Sequence, residues 1–145
     1  MDSLKVYLCG KMSGMTFEQM NEWREETTRV LEHMASFYDC IIKVVNPVDY
    51  YNFESKRYQN QKEVMQFDLN HVKSSDIVIV NLDGLNSSIG SAIELYECYK
   101  RDVPVIAFGE KELYEGLHPW IKECITRVED NCEMVATYIC EFYMM

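Results

Sequence analysis

Short apolar segments recur along the chain, separated by longer stretches with helical spacing, and this alternation constrains the fold more than any other feature. The apolar segments are rich in Val and Ile and have the length of buried strands. They cover residues 5–9, Ile41–Val45, Ile77–Asn81 and 103–108, with a brief further segment around Arg127. Strands that alternate with helices favour a parallel sheet covered by helices on both faces.

The stretches between these segments carry helix signals. Thr16 is a candidate N-cap, and apolar residues from Phe17 to Met34 recur at helical spacings. We predict further helices over 64–74, from about Ser88 or Gly90 to Arg101, over 118–124 and from Cys132. The polar stretch 48–61 is weakly patterned, and its length indicates a functional loop or a short helix. We therefore expect residues 1–145 to form a single doubly wound α/β domain, flavodoxin-like or Rossmann-like, with a mainly parallel five-stranded sheet.

The charge balance excludes one class of partner. The 145 residues contain 24 Asp and Glu against 14 Lys and Arg, a formal net charge of −10. Polymeric nucleic acids bind to basic surfaces, so this balance argues against a DNA- or RNA-binding role. A small anion is compatible with the sequence, because backbone N–H groups at helix starts can hold a phosphate without net positive charge.

The cysteines and the first residues of the chain indicate a reducing compartment. The six cysteines form no C-x-x-C pair and match no zinc-site spacing with histidine, so we expect no metal ion. The thiols are expected to fill the core, with the exposure of those at 124, 132 and 140 left open. There is no basic start with an apolar run typical of a signal peptide, and no bilayer-length apolar stretch. These features predict a soluble cytoplasmic protein that binds no membrane.

Ligands of a parallel doubly wound sheet bind beyond the carboxyl ends of the strands, where the following helices begin. The segments expected at this edge are 7–14, 46–50, the start of the helix that contains Asp68, and 87–94. In the first of them, Gly10, Lys11, Ser13 and Gly14 form either an anion-binding loop or a flexible turn.

The segment 87–94 joins a buried strand to a helix. Small residues at Ser88, Gly90 and Ser91 let a ligand approach the free N–H groups, and the two serine hydroxyls are additional donors. Glu94 lies in the first turns, where the helix dipole should keep it ionised. The alternative is that Glu94 serves only to stabilise the helix.

Asp68 is the second carboxylate expected at this edge, early in its helix. Phe67 and Leu69 flank it and could remove it partly from water; an exposed helical carboxylate is the alternative. Two carboxylates at one sheet edge suit glycosidic-bond chemistry. One attacks or stabilises an oxocarbenium-like sugar, and the other handles the proton of the leaving group.

The run Tyr7-Leu8-Cys9-Gly10, then Asp68, then Ser88-x-Gly90-x-x-x-Glu94 resembles the nucleoside 2-deoxyribosyltransferase superfamily. The likeness is closest to its 2'-deoxynucleoside 5'-monophosphate N-glycosidase branch, and a related group of small bacterial and phage proteins is also similar. It covers most of the chain. The resemblance implies that Glu94 is the nucleophile that attacks the anomeric carbon of the deoxyribose. It further implies that Asp68 assists the departing base and that Tyr7 lies beside the sugar.

The resemblance also bears on the substrate class. Ser88 stands where transferases of free nucleosides usually have an Asp for the 5'-hydroxyl, whereas the monophosphate glycosidases have a Ser. A carboxylate at this point repels a phosphate, and a hydroxyl donates to it. Ser13 replaces an Arg of those glycosidases, so Lys11 is the residue that can supply the charge. His118 matches a position from which a neighbouring subunit reaches the phosphate. It is expected either to do the same or to be an ordinary helix-start residue.

Taken together, the resemblance implies a nucleoside deoxyribosyltransferase-like domain over 1–145 that hydrolyses the N-glycosidic bond of a (2'-deoxy)nucleoside 5'-monophosphate. The products are a free base and (deoxy)ribose 5-phosphate. It implies no cofactor, a small-molecule nucleotide as the partner, and a homodimer or higher homo-oligomer. Aromatic residues beyond the needs of one small core favour such an assembly: Trp23, Tyr96, Tyr99 and Trp120. Two alternatives stay open, namely base exchange, in which a second nucleobase replaces water, and a non-catalytic nucleotide-binding module.

Overall fold

The computed structural model describes residues 3–50 and 56–144, and the strands of these residues form one parallel sheet. The strands are β1 (Ser3–Cys9), β2 (Ile41–Val45), β3 (Ile77–Asn81), β4 (Val105–Phe108) and β5 (Arg127–Glu129). Their order in the sheet is β2-β1-β3-β4-β5. This order belongs to flavodoxin-like doubly wound sheets, whose switch point lies between β1 and β3, and it confirms the predicted fold class.

Helices cover both faces of this sheet. They are α1 (Phe17–Ala35), α2 (Gln61–Lys73), α3 (Ile89–Arg101), α4 (Lys111–Glu115), α5 (Pro119–Glu123) and α6 (Cys132–Tyr143). Helices α1 and α6 pack together on one face, and α2, α3 and the short α5 pack on the other. None of the helices in the described part of the chain combines the length and apolar character needed to cross a membrane.

The start of α1 is set by reciprocal capping. The Thr16 hydroxyl oxygen accepts a hydrogen bond from the Gln19 N–H, and the Gln19 side chain accepts one from the Thr16 N–H. Such a capping box satisfies backbone donors that the helix itself leaves without partners. It confirms the helix start that the sequence predicts.

Alternation of side chains along β1 divides the core into two clusters. Leu4, Val6 and Leu8 are buried towards α1 and α6. Tyr7 and Cys9 are buried on the opposite face, in the cluster formed with α2 and α3. Successive side chains of a strand point to opposite faces, so the end of β1 brings a phenol and a thiol to the α2–α3 side.

Some boundaries differ from the sequence prediction, and one of them concerns the site. Helix α2 begins at Gln61 and not at 64, because the Asn60 and Glu63 side chains cap it reciprocally. Asp68 therefore lies in the middle of α2, and the expectation that it stands early in its helix is wrong. The sequence prediction also lacks α4 and starts β4 too early.

The polar stretch 48–61 falls partly outside the described residues. Pro47–Tyr50 forms a 3-10 turn directly after β2, which agrees with the short helix considered for this stretch. Residues 51–55 of the stretch lie outside the described residues, and 56–60 lead into α2 without helix or strand.

Candidate active site

Glu94 is buried at the carboxyl edge of the sheet, on the inner face of α3, with 8% of its surface exposed. The Tyr7 hydroxyl donates a hydrogen bond to Glu94 Oε2 at 2.6 Å. The Cys9 thiol donates to Glu94 Oε1 at 3.3 Å. Both oxygens of this carboxylate are thus held by neutral donors from the last residues of β1, which fixes its orientation.

The charge state of Glu94 results from opposing influences. Burial raises the pKa of Glu94 above its usual value, while the hydrogen bonds from Tyr7 and Cys9 and the positive charge of Arg24 lower it. The expectation that the helix dipole keeps Glu94 ionised is therefore incomplete, because desolvation is the largest influence on this carboxyl. Its ionised form depends on the donors around it.

Tyr7 and Cys9 remain protonated donors. Burial raises the pKa of Tyr7, and the negative charges of Glu94 and Asp68 raise it further. Burial and the neighbouring Glu94 carboxylate raise the pKa of Cys9 as well. Each therefore keeps the hydrogen that it donates to Glu94. Cys9 fills the core, as expected for the thiols, and its thiol also donates to Glu94.

Asp68 reaches the same neighbourhood from α2. Its side chain is half-buried, its Oδ1 atom is buried, and its charge acts on the Tyr7 hydroxyl. Asp68 is therefore not the exposed helical carboxylate that the sequence left as an alternative. Tyr7 stands in the electrostatic field of both carboxylates, one from α2 and one from α3.

The start of α3 uses its small residues for capping. Ser88 is the N-cap, and its hydroxyl oxygen accepts a hydrogen bond from the Ser91 N–H at 3.4 Å and donates to Ser91 Oγ at 2.8 Å. Gly90 is exposed, and a Cβ placed there would have no atom within 4 Å. The helix start is therefore open to an approaching group, and Ser88 lies at its rim.

The first loop meets the helix start through Lys11. Its Nζ donates a hydrogen bond to Ser87 Oγ at 2.9 Å. Its aliphatic part lies over Gly84, where φ is +70° and a Cβ would come within 2.7 Å of Lys11 Cδ. Ser13 is exposed, and Gly14 adopts a φ of +79° in the turn. Of the residues singled out in this loop, Lys11 is the one tied to the α3 side.

His118 caps the short helix α5. Its Nδ1 accepts a hydrogen bond from the Trp120 N–H at 3.1 Å. Its own N–H donates to Asn86 Oδ1 at 2.9 Å, and Asn86 Nδ2 donates to the Gly116 carbonyl at 2.7 Å. The His118 segment is thereby attached to the connection between β3 and α3, and the exposed His118 ring keeps Nε2 for other partners.

Sequence reasoning missed Cys9 and Arg24. The Arg24 side chain is fully buried in α1, and its Nε and Nη2 donate to the carbonyls of Leu8 and Gly10 at 3.4 and 3.1 Å. Helical spacing could have revealed it, because Arg24 shares the inward face of α1 with Met20.

A cleft of about 660 Å³ opens on the α1 side of the same edge. Lys11 lines it from the loop that follows β1, and Asn81 and Asp83 line it from the end of β3 and the loop that follows. Its wall on α1 includes Trp23 and the following acidic and polar residues: Gln19, Glu22, Glu25, Glu26 and Arg29. This wall carries more negative than positive groups, so Lys11 is the part of the cleft that suits an anion.

One group of potential metal ligands comes together within residues 3–50 and 56–144. Glu26, Cys132 and Glu133 have ligand atoms within 4.8 Å of one another. They lie where α1 meets α6, across the sheet from Glu94.

Two solved structures share this fold. One is a conserved protein from Enterococcus faecalis V583, with a TM-score of 0.67 and 16% identity, covering 96% of this chain and 98% of that chain. The other is a 2-deoxyribosyltransferase from the psychrotolerant bacterium Bacillus psychrosaccharolyticus. It has a TM-score of 0.65 and 22% identity, and the match covers 92% of this chain and 91% of that chain. A search of curated proteins finds no match.

The sequence itself carries the family assignment. The sequence model of the family described as "Nucleoside 2-deoxyribosyltransferase like" matches residues 3–111. The match extends from β1 to the start of α4 and includes the positions of Tyr7, Asp68 and Glu94. The chain belongs to the nucleoside 2-deoxyribosyltransferase-like family.

Proposed function

We propose that this protein hydrolyses the N-glycosidic bond of a 2'-deoxynucleoside 5'-monophosphate, releasing the free base and deoxyribose 5-phosphate. One observation carries the proposal: a buried carboxylate, Glu94, is held by Tyr7 and Cys9 at the carboxyl edge of the sheet. Family membership supports glycosyl-transfer chemistry in general. The N-glycosidase branch and the monophosphate substrate are finer assignments that rest on the sequence motifs.

In the first step, a Glu94 oxygen forms a bond to the anomeric carbon of the sugar. The bond from that carbon to the base breaks, and its electron pair leaves with the base nitrogen. Asp68, in its protonated form, donates a proton to the departing base. The product is a glycosyl ester of Glu94, and Tyr7, by donating to Glu94, holds the carboxylate for this attack.

In the second step, water attacks the same carbon. The ester bond breaks, its electron pair returns to Glu94, and the Asp68 carboxylate takes the proton of the water. The two displacements together retain the anomeric configuration, and both carboxyl groups return to their starting states.

The phosphate is assigned to the start of α3. Gly90 leaves the backbone there open, and an anion is favoured at a helix N-terminus of this length. Ser88 and Ser91 carry hydroxyl groups at this point, and Lys11 is attached beside it through Ser87. Gly10 and Ser13 complete the first loop on the side of the substrate.

We further propose that the protein works as a homodimer or a higher homo-oligomer built from a single domain over 1–145. Tyr96, Tyr99 and Trp120 are 55%, 57% and 80% exposed, and this apolar surface supports an interface. His118 of one subunit would then contact the phosphate at the site of another. Light scattering at assay concentration tests the assembly, and a fully active monomer contradicts it.

The proposed role of His118 is separable from its capping role. His118→Ala removes both the cap and the ring, whereas His118→Asn removes the ring and keeps a side chain that caps helices well. If the ring binds phosphate, both variants should raise the KM for the monophosphate about tenfold and change kcat less. Recovery of the wild-type KM in His118→Asn would show that His118 serves only the helix start.

Base exchange is the second candidate activity. The solved 2-deoxyribosyltransferase with the same fold and the description of the family favour it. In that reaction a nucleobase nitrogen, and not water, attacks the glycosyl ester. Hydrolysis and exchange differ in the acceptor, which is water in the first and a nucleobase in the second. The reaction products therefore distinguish them.

A base-release experiment tests the proposal directly. Deoxynucleotides, ribonucleotides and free nucleosides are incubated with the protein, with and without a second free base, and the products are separated by chromatography. Release of base from deoxynucleoside monophosphates without an added base supports hydrolysis, and a new nucleoside or nucleotide formed from the added base supports exchange. Tight nucleotide binding without any released base would overturn both enzymatic proposals and leave a binding module.

A further inference from the structure

Arg24 is a fully buried cation next to the end of β1. Its Nε donates to the Leu8 carbonyl, its Nη2 to the Gly10 carbonyl and its Nη1 to the Met20 carbonyl. Removing a guanidinium from water costs free energy that its hydrogen bonds must offset. Leu8 and Gly10 flank Cys9, so the guanidinium holds the backbone on both sides of the residue whose thiol reaches Glu94.

We propose that Arg24 is a positioning residue for Glu94: from α1, it fixes the end of β1 from which Tyr7 and Cys9 hold the carboxylate. The inference rests on the proposed function, in which Glu94 reacts as an ionised nucleophile. Arg24 donates to the backbone of β1, so its action on the reaction passes through other residues.

The geometry of the β1 end supports this role. The planar guanidinium has donors in a rigid arrangement, and two of them span the carbonyls of Leu8 and Gly10. The backbone at Gly10 is packed closely against α1, since a Cβ there would lie 2.6 Å from Trp23 Cζ2 and 3.4 Å from Arg24 Nη2. A displacement of Arg24 therefore moves the segment that carries Tyr7 and Cys9.

The charge of Arg24 acts in the same direction. It lowers the pKa of Glu94, against the burial that raises it. The groups that influence this region are Tyr7 and Cys9 from β1, Cys98 from α3, Asp68 from α2 through Tyr7, and Arg24 from α1. Among these groups Arg24 supplies the positive charge, and an arginine keeps its charge at any pH of an assay.

The test compares Arg24→Met, which removes the charge and the donors, with Arg24→Lys, which keeps the charge and loses the planar fork. The pKa of Glu94 is measured by carbon-13 NMR titration of the glutamate carboxyls, with Glu94→Gln used to assign the signal. In Arg24→Met, we expect the pKa of Glu94 to rise, because the positive charge that lowers it is removed. The acid limb of the pH profile for base release should move to higher pH by the same amount.

Arg24→Lys separates position from charge. It should leave the pKa of Glu94 close to that of the wild type but lower kcat about tenfold, with a smaller change in KM. Wild-type kcat in Arg24→Lys would overturn the positioning role, and this variant also serves if Arg24→Met fails to fold by circular dichroism.

Thr27→Val is the matched structural control. Thr27 is another fully buried polar residue of α1, and its hydroxyl donates to the Trp23 carbonyl. It should lower stability without moving the pKa of Glu94. An equal rise of that pKa in Thr27→Val and Arg24→Met, or no rise in Arg24→Met, would overturn the proposal. If the wild type releases no base from any substrate, the proposed function fails, and the NMR titration still decides the role of Arg24.

Discussion

Two regions of α3, its inner face and the flank that carries Lys100 and Arg101, place two glutamates in different environments. Glu94 on the inner face accepts hydrogen bonds from neutral donors, and burial raises its pKa. Glu97 forms ion pairs with Lys100 at 2.9 Å and Arg101 at 3.4 Å, and the hydrogen bond from Lys100 lowers its pKa. The same side chain less than one helical turn away is thus half-buried and held in ion pairs. Position around the helix, and not residue type, therefore makes Glu94 a candidate for reaction.

Neutralising each glutamate in turn should give the largest difference between the two positions. Glu94→Gln should lower base release by at least about 10³-fold, because an amide cannot form the glycosyl ester. Glu97→Gln, the matched control, should stay within about twofold of the wild type because it removes only ion pairs with Lys100 and Arg101, away from Glu94. Chromatographic assays of both variants measure the difference, with circular dichroism to check the fold. Near-normal turnover of Glu94→Gln would end the nucleophile assignment.

Asp68 tests whether the inner face of α3 works with a second carboxyl group. Asp68→Asn should lower the rate about 10²-fold, since it removes the group that transfers the proton. The loss should be largest for bases that leave poorly, so rates are compared across substrates whose bases differ in basicity. Equal losses for all bases would argue against a role in proton transfer.

Ser88 tests what the open start of α3 binds. Ser88→Asp should lower the ratio of kcat/KM for the monophosphate to that for the free nucleoside by about tenfold, because a carboxylate repels the phosphate. Ser88→Asn is the matched control, as both replacements are good N-cap residues and only one is charged. An unchanged ratio in Ser88→Asp would mean that Ser88 does not face the phosphate.

The smallest expected effect concerns stability. Burial raises the folded-state pKa of Glu94, so folding favours the protonated carboxyl. The stability of the protein therefore falls as the pH rises through that pKa and Glu94 ionises. Glu94→Gln should therefore raise Tm at neutral pH by roughly 2–4 °C, and by less in acid. Glu97 has a lowered pKa, so its contribution is present above the unfolded-state value and is lost as the pH falls. Glu97→Gln should lower Tm slightly at neutral pH.

Thermal unfolding followed by circular dichroism from about pH 4 to about pH 8 measures both trends. A Glu94→Gln variant that is no more stable than the wild type at any pH would contradict the desolvation of Glu94. The same series done on Glu97→Gln shows whether the stability change has the opposite sign at Glu97.

Local sequence patterns were sufficient for most of the elements. The strands Ile41–Val45 and Ile77–Asn81 have the predicted bounds, because each is a short run of β-branched residues between polar residues or turns. Helix α4 was missed because its polar five-residue sequence has no apolar periodicity. The misplaced start of α2 has a related cause, since the capping pair Asn60 and Glu63 precedes its first apolar residue.

The candidate site was predictable to a smaller extent. The resemblance singled out Tyr7, Asp68 and Glu94, and the structure brings their side chains into one electrostatic neighbourhood. Cys9 could be placed on a buried strand but not on Glu94, because that contact joins residues far apart in the sequence. His118 was recognised by its position, whereas the hydrogen bond that its Nδ1 accepts from the Trp120 N–H is known only from the fold.

The sequence by itself determined the alternation of strands and helices, the acidic balance and the residues that stand at the strand ends, since all of these depend on neighbours along the chain. Tertiary structure decided which of those residues meet. The sheet order places β1 between β2 and β3, and only this packing brings Tyr7 and Cys9 against the inner face of α3 and Arg24 against the end of β1. The raised pKa of Glu94 follows from that packing, because desolvation is a property of the folded surroundings and not of the residue.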